Sequence, residues 1–294
     1  MKKQIALGCM RLAALTVDEA EALIKKAISE HITLFDHADI YGAGKCEEIF
    51  GEILLRNPDL RGKIKIQTKC GIRKGYYDLS KAHIITQVER SLKALKTDYI
   101  DILLLHRPDV LMDYQEIDAA FAELYHSGKV REFGVSNMNP YQIELFRKYV
   151  NQPIKYNQLQ LSLVHCHLIN QGVFVNMSES EAIDHSSGLI EYCRLHDISI
   201  QSWSSLMASW SEGSLINHPH YQQLNDLLSI LATKYNVSKN AIAIAWILRH
   251  PANITAIVGT TNLDHLHEIV KARDIELTRE EWYSLYLSVG HKLP

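Results

Sequence analysis

Four residues in the first half of the chain have side chains that could act together on a proton: Asp36, Tyr41, Lys69 and His106. A tyrosine hydroxyl can donate a proton to an oxygen on which negative charge develops, although its ordinary pKa of about 10 is poorly matched to neutral pH. A nearby lysine would stabilise the phenolate, and an aspartate would keep that lysine charged. A histidine could donate a hydrogen bond to the same oxygen. This set suits the reduction of a carbonyl group, in which carbon receives a hydride and oxygen receives a proton.

Each of the four residues has a simpler interpretation when it is considered alone. Asp36 could cap the turn that follows it, and Tyr41 could be a packed aromatic residue in a loop. Lys69 could be a solvated charge at the end of a strand, and His106 a buried imidazole with satisfied hydrogen bonds. Only their placement relative to the predicted strands favours a joint chemical role.

Eight short apolar segments predict the strands of a parallel sheet. Most are rich in leucine or β-branched residues and show little alternation, which is typical of strands buried on both faces. The predicted strands are residues 5–7, 32–35, 64–68, 99–105, 131–135, 154–161, 198–203 and 254–258. Between them, apolar residues three and four positions apart predict amphipathic helices, for example over residues 17–29, 83–95, 117–126 and 224–234.

Helix-start residues support this alternation of strands and helices: Thr16, Ser80 and Asn139, the last followed by Pro140, stand where N-caps are expected. No linker rich in Gly, Ser or Pro divides the chain. The pattern predicts an α/β protein, a closed (β/α)8 TIM barrel that forms a single domain over residues 1–294. The longest interruptions, residues 165–187 and 206–221, are predicted to be loops.

Polar residues follow the predicted strands at the end where such barrels carry their chemistry. Asp36 and then Tyr41 follow the second strand, Lys69 the third and His106 the fourth. The fifth and sixth strands bring Ser136, Asn137 and Gln158. Because the carboxyl ends of all strands face the same mouth of the barrel, we expect these side chains to converge there.

Composition restricts the partners of the protein. Apolar residues make up 47% and charged residues 22% of the chain, as in ordinary globular proteins. The net charge of -3 gives no basic surface for nucleic acid. No apolar run is long enough to span a membrane. Five cysteines without a C-x-x-C pair favour the reducing cytoplasm. The expected partner is therefore a small molecule.

A metal site is not expected from the sequence. The segment His165-Cys166-His167 offers two histidines and one cysteine, but it provides no fourth ligand and does not have a usual zinc spacing. A metal-dependent hydrolase would need His and Asp ligands after several strands. His37 and Asp39 are too close together in the sequence to supply them alone.

Several segments, in order along the chain, resemble the signatures of the aldo-keto reductase family. They are F-D-H-A-D-I-Y-G at 35 to 42, T-K-C-G at 68 to 71, S-L-K-A-L-K-T-D-Y-I-D at 91 to 101, L-L-L-H-R-P-D at 103 to 109, G-K-V-R-E-F-G-V-S-N at 128 to 137 and N-Q-L-Q-L-S at 157 to 162. The likeness extends over nearly the whole chain. It implies a (β/α)8 barrel that reduces aldehydes or ketones with NADPH, and the family expectation is a monomer.

The resemblance also assigns roles to residues. It implies that Tyr41 is the general acid, that Lys69 and Asp36 support it, and that His106 orients the substrate. It places Ser136, Asn137 and Gln158 on the nicotinamide carboxamide, which needs both donors and acceptors. The chain has no G-x-G-x-x-G after a strand, which agrees with cofactor binding outside a Rossmann domain. The alternative is an NADP-binding barrel with a redox-sensing or regulatory role and little catalysis.

Three segments depart from the family pattern. Trp203 stands where a tyrosine usually stacks on the nicotinamide, in a segment that also brings Ser204 and Leu206 to the cofactor. Gly259 and His265 replace a lysine and an arginine that grip the adenosine 2'-phosphate, which leaves Thr260 and backbone N–H groups for that task. Glu268 matches the residue facing adenine. We therefore expect NADP, with use of NAD possible. Arg107 replaces an aromatic residue and predicts substrates with carboxylate or hydroxyl groups.

Overall fold

The computed structural model describes residues 3–175, 177–178, 180–185 and 187–293. Eight strands form a closed barrel in which neighbours along the chain are neighbours in the ring. They are β1 (Ile5–Gly8), β2 (Leu34–Asp36), β3 (Lys65–Cys70), β4 (Ile100–Leu105), β5 (Val130–Ser136), β6 (Ile154–Gln160), β7 (Ser199–Trp203) and β8 (Thr255–Val258). The predicted eight strands and the closed (β/α)8 barrel are confirmed.

Helices alternate with these strands. They are α1 (Val17–Ser29), α2 (Lys45–Arg56), α3 (Lys81–Leu95), α4 (Tyr114–His126), α5 (Pro140–Tyr149), α6 (His167–Val173), α7 (Leu189–Leu195), α8 (Gln222–Tyr235), α9 (Lys239–Leu248), α10 (Leu263–Val270) and α11 (Arg279–Leu287). The four helices predicted as examples are confirmed, with their ends shifted by at most three residues. None of the helices in the described ranges combines the length and the apolar character that a membrane crossing requires.

The predicted helix starts are N-caps in the structure. Thr16 accepts a hydrogen bond from the backbone of Glu19, whose carboxylate in turn accepts from the backbone of Thr16, and this reciprocal pair starts α1. Asn139 forms the same kind of pair with Gln142 at the start of α5, where Pro140 occupies the first turn. These local signals fix where the helices begin independently of the barrel.

The two segments predicted to be loops contain regular structure, so that prediction is wrong in part. Residues 165–187 include α6 and a short 3-10 helix at Ser180–Ala182. Residues 206–221 include an antiparallel hairpin of Met207–Ser209 and Gly213–Ser214. A second hairpin, Ile72–Arg73 with Tyr76–Tyr77, follows β3. Such short elements have too few residues to show a clear apolar period.

The chain divides into two compact units. One comprises Ala6–Gln158 and Gly259–Leu263, and the other Met1–Ile5, Leu159–Val258 and Asp264–Pro294. In the first unit, all six residues of β4 are buried, and β4 pairs in parallel with β3 and β5. In the second unit, β7 pairs in parallel with β8, and every residue of α9 except its first two is buried. The single domain over residues 1–294 stays a prediction.

Candidate active site

The strand register brings the predicted chemical residues of the first unit to one end of the sheet. Asp36 is the last residue of β2 and pairs with Gln67 of β3. Lys69 lies two residues further along β3, opposite Leu104 of β4. His106 follows directly after β4, and Tyr41 begins a short 3-10 helix after β2. All four residues therefore stand at or just beyond the carboxyl ends of three adjacent strands.

Asp36 and Lys69 form a buried ion pair. The Lys69 Nζ lies 2.7 Å from Asp36 Oδ1, and the lysine side chain has no exposed surface. The same Oδ1 also accepts hydrogen bonds from the side-chain amides of Gln67 at 2.6 Å and Gln158 at 2.9 Å. Lys69 Nζ donates further to His37 O at 2.8 Å. A lysine at the end of β3 is thus held from several sides and is not the solvated charge that the simpler interpretation predicts.

The charge of Lys69 is stabilised in spite of its burial. Burial alone would lower the pKa of this ammonium, but the adjacent Asp36 carboxylate and the Tyr41 oxygen outweigh burial, and the pKa is raised from its ordinary value. Lys69 is therefore a permanent cation at neutral pH. Its hydrogen bonds hold the ammonium group beside the Tyr41 hydroxyl.

Tyr41 lies against this cation. Lys69 Nζ is 3.3 Å from the Tyr41 hydroxyl oxygen and 5.0 Å from the centre of its ring. Burial raises the pKa of Tyr41 more than the Lys69 charge lowers it, so the phenol keeps its proton at neutral pH. A protonated phenol beside a fixed cation can give up its proton when an acceptor oxygen becomes negative.

His106 completes the group as an uncharged ring. Its ring meets the Tyr41 ring edge-on, with centroids 6.1 Å apart. Burial, together with the positive charges of Lys69 and Arg107, holds the pKa of His106 well below its usual value. Its Nδ1 is buried and has no hydrogen-bond partner among the described residues. At neutral pH a neutral imidazole here can donate one hydrogen bond and accept another, but it cannot supply a charge.

The predicted carboxamide contacts lie beside the same group. Ser136 ends β5 opposite Gln158 of β6, and its hydroxyl donates to Gln158 O at 2.9 Å. Asn137 follows with a φ of 55° and donates from its amide to Ser136 Oγ at 2.8 Å. Gln158 connects this set to Asp36. The hydroxyl and amide groups are thus joined in one hydrogen-bonded series that ends at the Asp36–Lys69 pair.

A cation that sequence reasoning missed contacts the segment after β8. Arg11 Nη1 donates to Gly259 O at 2.8 Å. A side-chain carbon at position 259 would meet the same guanidinium at 2.9 Å, so Arg11, from the loop after β1, occupies the space where the resemblance leads us to expect a lysine side chain. Thr260 Oγ1 accepts from the backbone N–H of Asn262. The missing lysine therefore does not leave this segment without positive charge.

The other predicted cofactor residues belong to the second unit. Trp203 ends β7, with its ring centroid 6.4 Å from that of Trp210. Ser204 has a φ of 54°, and Leu206 O accepts the backbone N–H of Leu215 at the base of the hairpin. His265 lies in α10. Glu268, in the same helix, forms an ion pair with Lys271.

Within the described ranges, no group of three or more His, Cys, Asp or Glu side chains could hold a metal ion. In the segment His165-Cys166-His167, burial and the charge of His167 lower the pKa of His165 to about 4. All five cysteines are buried free thiols.

Comparison with known proteins identifies the family of this chain. The sequence model of the Aldo/keto reductase family matches residues 4–286 of the chain. The chain belongs to the aldo/keto reductase family. Oxidoreductase YdhF of Escherichia coli strain K12 is 34% identical over 281 residues, which cover 91% of this chain and 88% of that protein. A 6-dehydroglucose reductase of Agrobacterium fabrum is 34% identical over 284 residues, which cover 93% of this chain and 89% of that protein.

Solved structures of the family have the same fold. An aldo/keto reductase from Klebsiella pneumoniae, in complex with NADP and acetate, matches with a TM-score of 0.75 over 97% of this chain and 94% of that one. The two sequences are 24% identical, so this likeness shows the fold alone. A 2,5-diketo-D-gluconic acid reductase B, described as putative, matches with a TM-score of 0.72, at 22% identity, over 97% of this chain and 91% of that one.

Three residues of this aldo/keto reductase touch the candidate site and were not found from the sequence: Gln67, His37 and Arg11. Gln67 is a polar residue inside an otherwise apolar strand, which is a usable signal, but its partner is fixed only by the register of β2 and β3. His37 contributes its backbone oxygen, which no sequence pattern reveals. Arg11 meets a residue 248 positions away in the sequence.

Proposed function

We propose that this aldo/keto reductase reduces aldehydes or ketones to alcohols with NADPH, and that Tyr41 donates the proton. The observation that carries the proposal is the position of Lys69 Nζ, which contacts both the Asp36 carboxylate and the Tyr41 hydroxyl in a buried site. An ion pair that only stabilises the fold does not require a tyrosine hydroxyl as a third member. A proton donor needs one charge to stabilise the phenolate and a second to fix that charge.

The proposed proton transfer uses each side chain at a stated atom. The substrate oxygen accepts a hydrogen bond from the Tyr41 hydroxyl and another from the neutral His106 ring. The NADPH nicotinamide, when bound, supplies the hydride to the carbonyl carbon. As the oxygen becomes negative, the proton of Tyr41 moves to it, and Lys69 stabilises the phenolate that remains. Asp36, through its three hydrogen bonds, prevents Lys69 from turning away.

The residues that would hold the cofactor fit its chemistry. The hydroxyl and amides of Ser136, Asn137 and Gln158 offer donors and acceptors side by side, as a carboxamide requires. Trp203 would stack on the nicotinamide, with Ser204 and Leu206 beside it. Thr260, Gly259 and His265 would lie at the adenosine phosphate, and Glu268 at the adenine. The related Klebsiella pneumoniae protein was crystallised with NADP.

Arg11 supports a preference for NADPH over NADH. Its guanidinium lies at Gly259 O and can meet a phosphate with two parallel hydrogen bonds. We expect Arg11→Gln to raise KM for NADPH by about tenfold or more and to leave KM for NADH nearly unchanged, because only NADPH carries the 2'-phosphate. Steady-state kinetics with both cofactors measure this. An equal change for the two cofactors would contradict the assignment of Arg11 to the phosphate.

The substrate is proposed to be a polar carbonyl compound. Arg107 directly follows His106, and its charge contributes to the lowered pKa of that ring, so we place it at the substrate end of the site. A guanidinium favours carboxylate and hydroxyl groups over an apolar ring. Two relatives are named 6-dehydroglucose reductase, which fits a hydroxylated substrate.

The test is NADPH oxidation with matched aldehydes, some apolar, some hydroxylated and some carboxylated, by the parent and by Tyr41→Phe. We expect turnover by the parent, higher kcat/KM for the polar aldehydes, and a loss of about a hundredfold to ten-thousandfold in kcat in the variant, the range ordinary for a general acid. Phenylalanine keeps the ring contacts with His106, so the variant should unfold at the parent's temperature. Turnover that survives in Tyr41→Phe would disprove the mechanism. NADPH binding without turnover by the parent would favour the regulatory alternative.

A further inference from the structure

A cavity of about 430 Å³ lies among helices of the second unit. It is lined by residues of α6, α7 and α11 and by the three residues that follow α9. None of its lining residues is among those proposed for catalysis or for cofactor binding. Its volume is in the range of sites that hold small organic ligands, roughly 300 to 1,000 Å³.

One wall of the cavity is apolar and fixed. Ile169 of α6 and Ile190 of α7 contribute buried aliphatic side chains. Trp282 of α11 contributes an indole that is stacked on Trp246 with ring centroids 4.8 Å apart. The Nε1 of each tryptophan donates to the backbone oxygen of the other, at 3.0 Å and 3.1 Å. This wall is therefore held in place before any ligand arrives, which reduces the entropic cost of binding.

Charged side chains line the cavity as well. Arg249, Arg279 and Glu191 all belong to its lining. The Nε of Arg249 donates to Leu277 O at 3.0 Å and lies 3.2 Å from Glu276, which fixes the direction of the guanidinium. Arg279 and Glu191 form no hydrogen bond or ion pair with any residue in the described part of the chain. Glu276 offsets the charge of Arg249, so Arg279 is the guanidinium of the lining that is left to pair with an anion.

His250 adds a neutral donor to the same lining. Burial, and then the nearby charge of Arg194, lower the pKa of His250 to about 4, so the ring is uncharged at neutral pH. Its Nδ1 accepts a hydrogen bond from the backbone N–H of Ala252 at 3.1 Å. The proton of the neutral ring is then on Nε2, which is a hydrogen-bond donor. The lining thus offers a donor and two cations beside one apolar wall.

We propose that this cavity is a binding site for a carboxylate with an aromatic body, in which the carboxylate meets Arg279 and Arg249 and the ring packs against Trp282. Guanidinium groups bind carboxylates by paired hydrogen bonds, and an aromatic ring can pack on the part of the Trp282 side chain that lines the cavity. The apolar wall disfavours small inorganic anions, and the charge of Arg279 disfavours amines. The site is independent of the proposed reductase activity, because it shares no residue with it.

The four tryptophans of the chain allow a direct test. In protein labelled with fluorotryptophan, each Trp→Phe variant assigns one fluorine resonance. Naphthylacetate is then titrated into the parent, with naphthylacetamide as the neutral compound of the same shape and naphthylethylamine as the cation. We expect a saturable shift of the Trp282 resonance, with a smaller shift of its stacked neighbour Trp246. We expect affinity at least about tenfold weaker for the amide and no binding of the amine.

The matched variants are Arg279→Gln and, as a control, Arg147→Gln on the exposed surface of α5. The first should weaken naphthylacetate binding by about tenfold, and the second should not change it. Both should keep the parent's reductase activity. The proposal fails if naphthylacetate leaves the Trp282 resonance in place at millimolar concentration. It also fails if Arg279→Gln binds as tightly as the parent, or if acid and amide bind equally. A shift of Trp203 alone would mean that the ligand binds elsewhere.

Discussion

Two charged clusters occupy opposite ends of β3 and β4, and they differ in how fully their hydrogen bonds are used. At the amino end, Asp101 accepts from Arg61 at 2.8 Å, Arg131 at 3.2 Å and the backbone N–H of Ile66 at 2.9 Å. Both guanidiniums also lie 3.6 Å from the centre of the Tyr99 ring. At the carboxyl end, the Asp36–Lys69 pair lies near side chains whose buried polar atoms have no hydrogen-bond partner among the described residues.

Under the proposed function, that difference separates a structural cluster from a catalytic one. Among the described residues, the buried side-chain atoms without a partner include His106 Nδ1, both ring nitrogens of His37 and Asp39 Oδ1, all near the carboxyl end. None belongs to the Asp101 cluster. Buried charge occurs at both ends, so burial alone does not mark the reactive one. Unused hydrogen-bond capacity does, because a substrate oxygen needs donors that the protein has not already occupied.

Lys69→Met gives the largest expected loss of stability at the carboxyl end. The variant leaves Asp36 buried without its cation, which costs about 3 to 5 kcal/mol in the free energy of unfolding. It also removes the charge that stabilises the Tyr41 phenolate, so kcat should fall by at least about a hundredfold in the protein that remains folded. Urea unfolding and NADPH oxidation measure the two losses. Loss of stability with unchanged kcat would make the pair purely structural.

Asp101→Asn is the matching change at the amino end. It removes the carboxylate between Arg61 and Arg131, and we expect a loss of about 3 kcal/mol in the free energy of unfolding. Because no residue of the Asp101 cluster is among those proposed to contact substrate or cofactor, kcat/KM per folded molecule should stay at the parent value. Urea unfolding with parallel kinetics checks both. A large fall in kcat/KM would break the distinction between the two ends.

The sequence predicts which polar residues lie at the carboxyl ends of the strands better than it predicts the side chains that contact them. Strand patterns, N-caps such as Thr16 and Asn139, and the order of polar residues after strands are local signals, and they were enough to predict the barrel and to bring Lys69 and Tyr41 together. The second partners of Asp36 could not be found in this way. Gln67 and Gln158 reach it from different strands, and only the register of the sheet decides which side chains meet.

Long-range contacts explain the other omissions. No local signal connects Arg11 with the phosphate segment, because it meets Gly259 only through the closure of the fold. The hairpins after β3 and β7 have two or three residues in each strand, too few for a period-two pattern to stand out. Local sequence therefore predicts the elements and the catalytic candidates, whereas the second set of contacts around them depends on tertiary structure.

Asp39→Asn should give the smallest change in the free energy of unfolding. It tests whether the buried Asp39 carboxylate at the carboxyl end destabilises the folded state. Burial, and then the charge of Glu47, raise the pKa of Asp39 to about 7. The unfolded chain has the ordinary value of about 3.9, so between these two values the folded state binds more protons. The free energy of unfolding therefore falls as pH rises from about 4 to about 7, and it stays low above that.

Asparagine cannot ionise, so the substitution removes this pH-dependent penalty. After allowance for the partial exposure of Asp39, the gain from Asp39→Asn should be larger at pH 8 than at pH 5 by about 2 kcal/mol. Urea unfolding of parent and variant at the two pH values measures the difference, with Asp101→Asn as the control, since it should lose stability at both. An equal gain at pH 5 and pH 8 would mean that the Asp39 carboxylate is not penalised in the folded state. Buried charge at the carboxyl end would then destabilise the fold no more than in the Asp101 cluster. Only the buried polar atoms without hydrogen-bond partners would distinguish the carboxyl end.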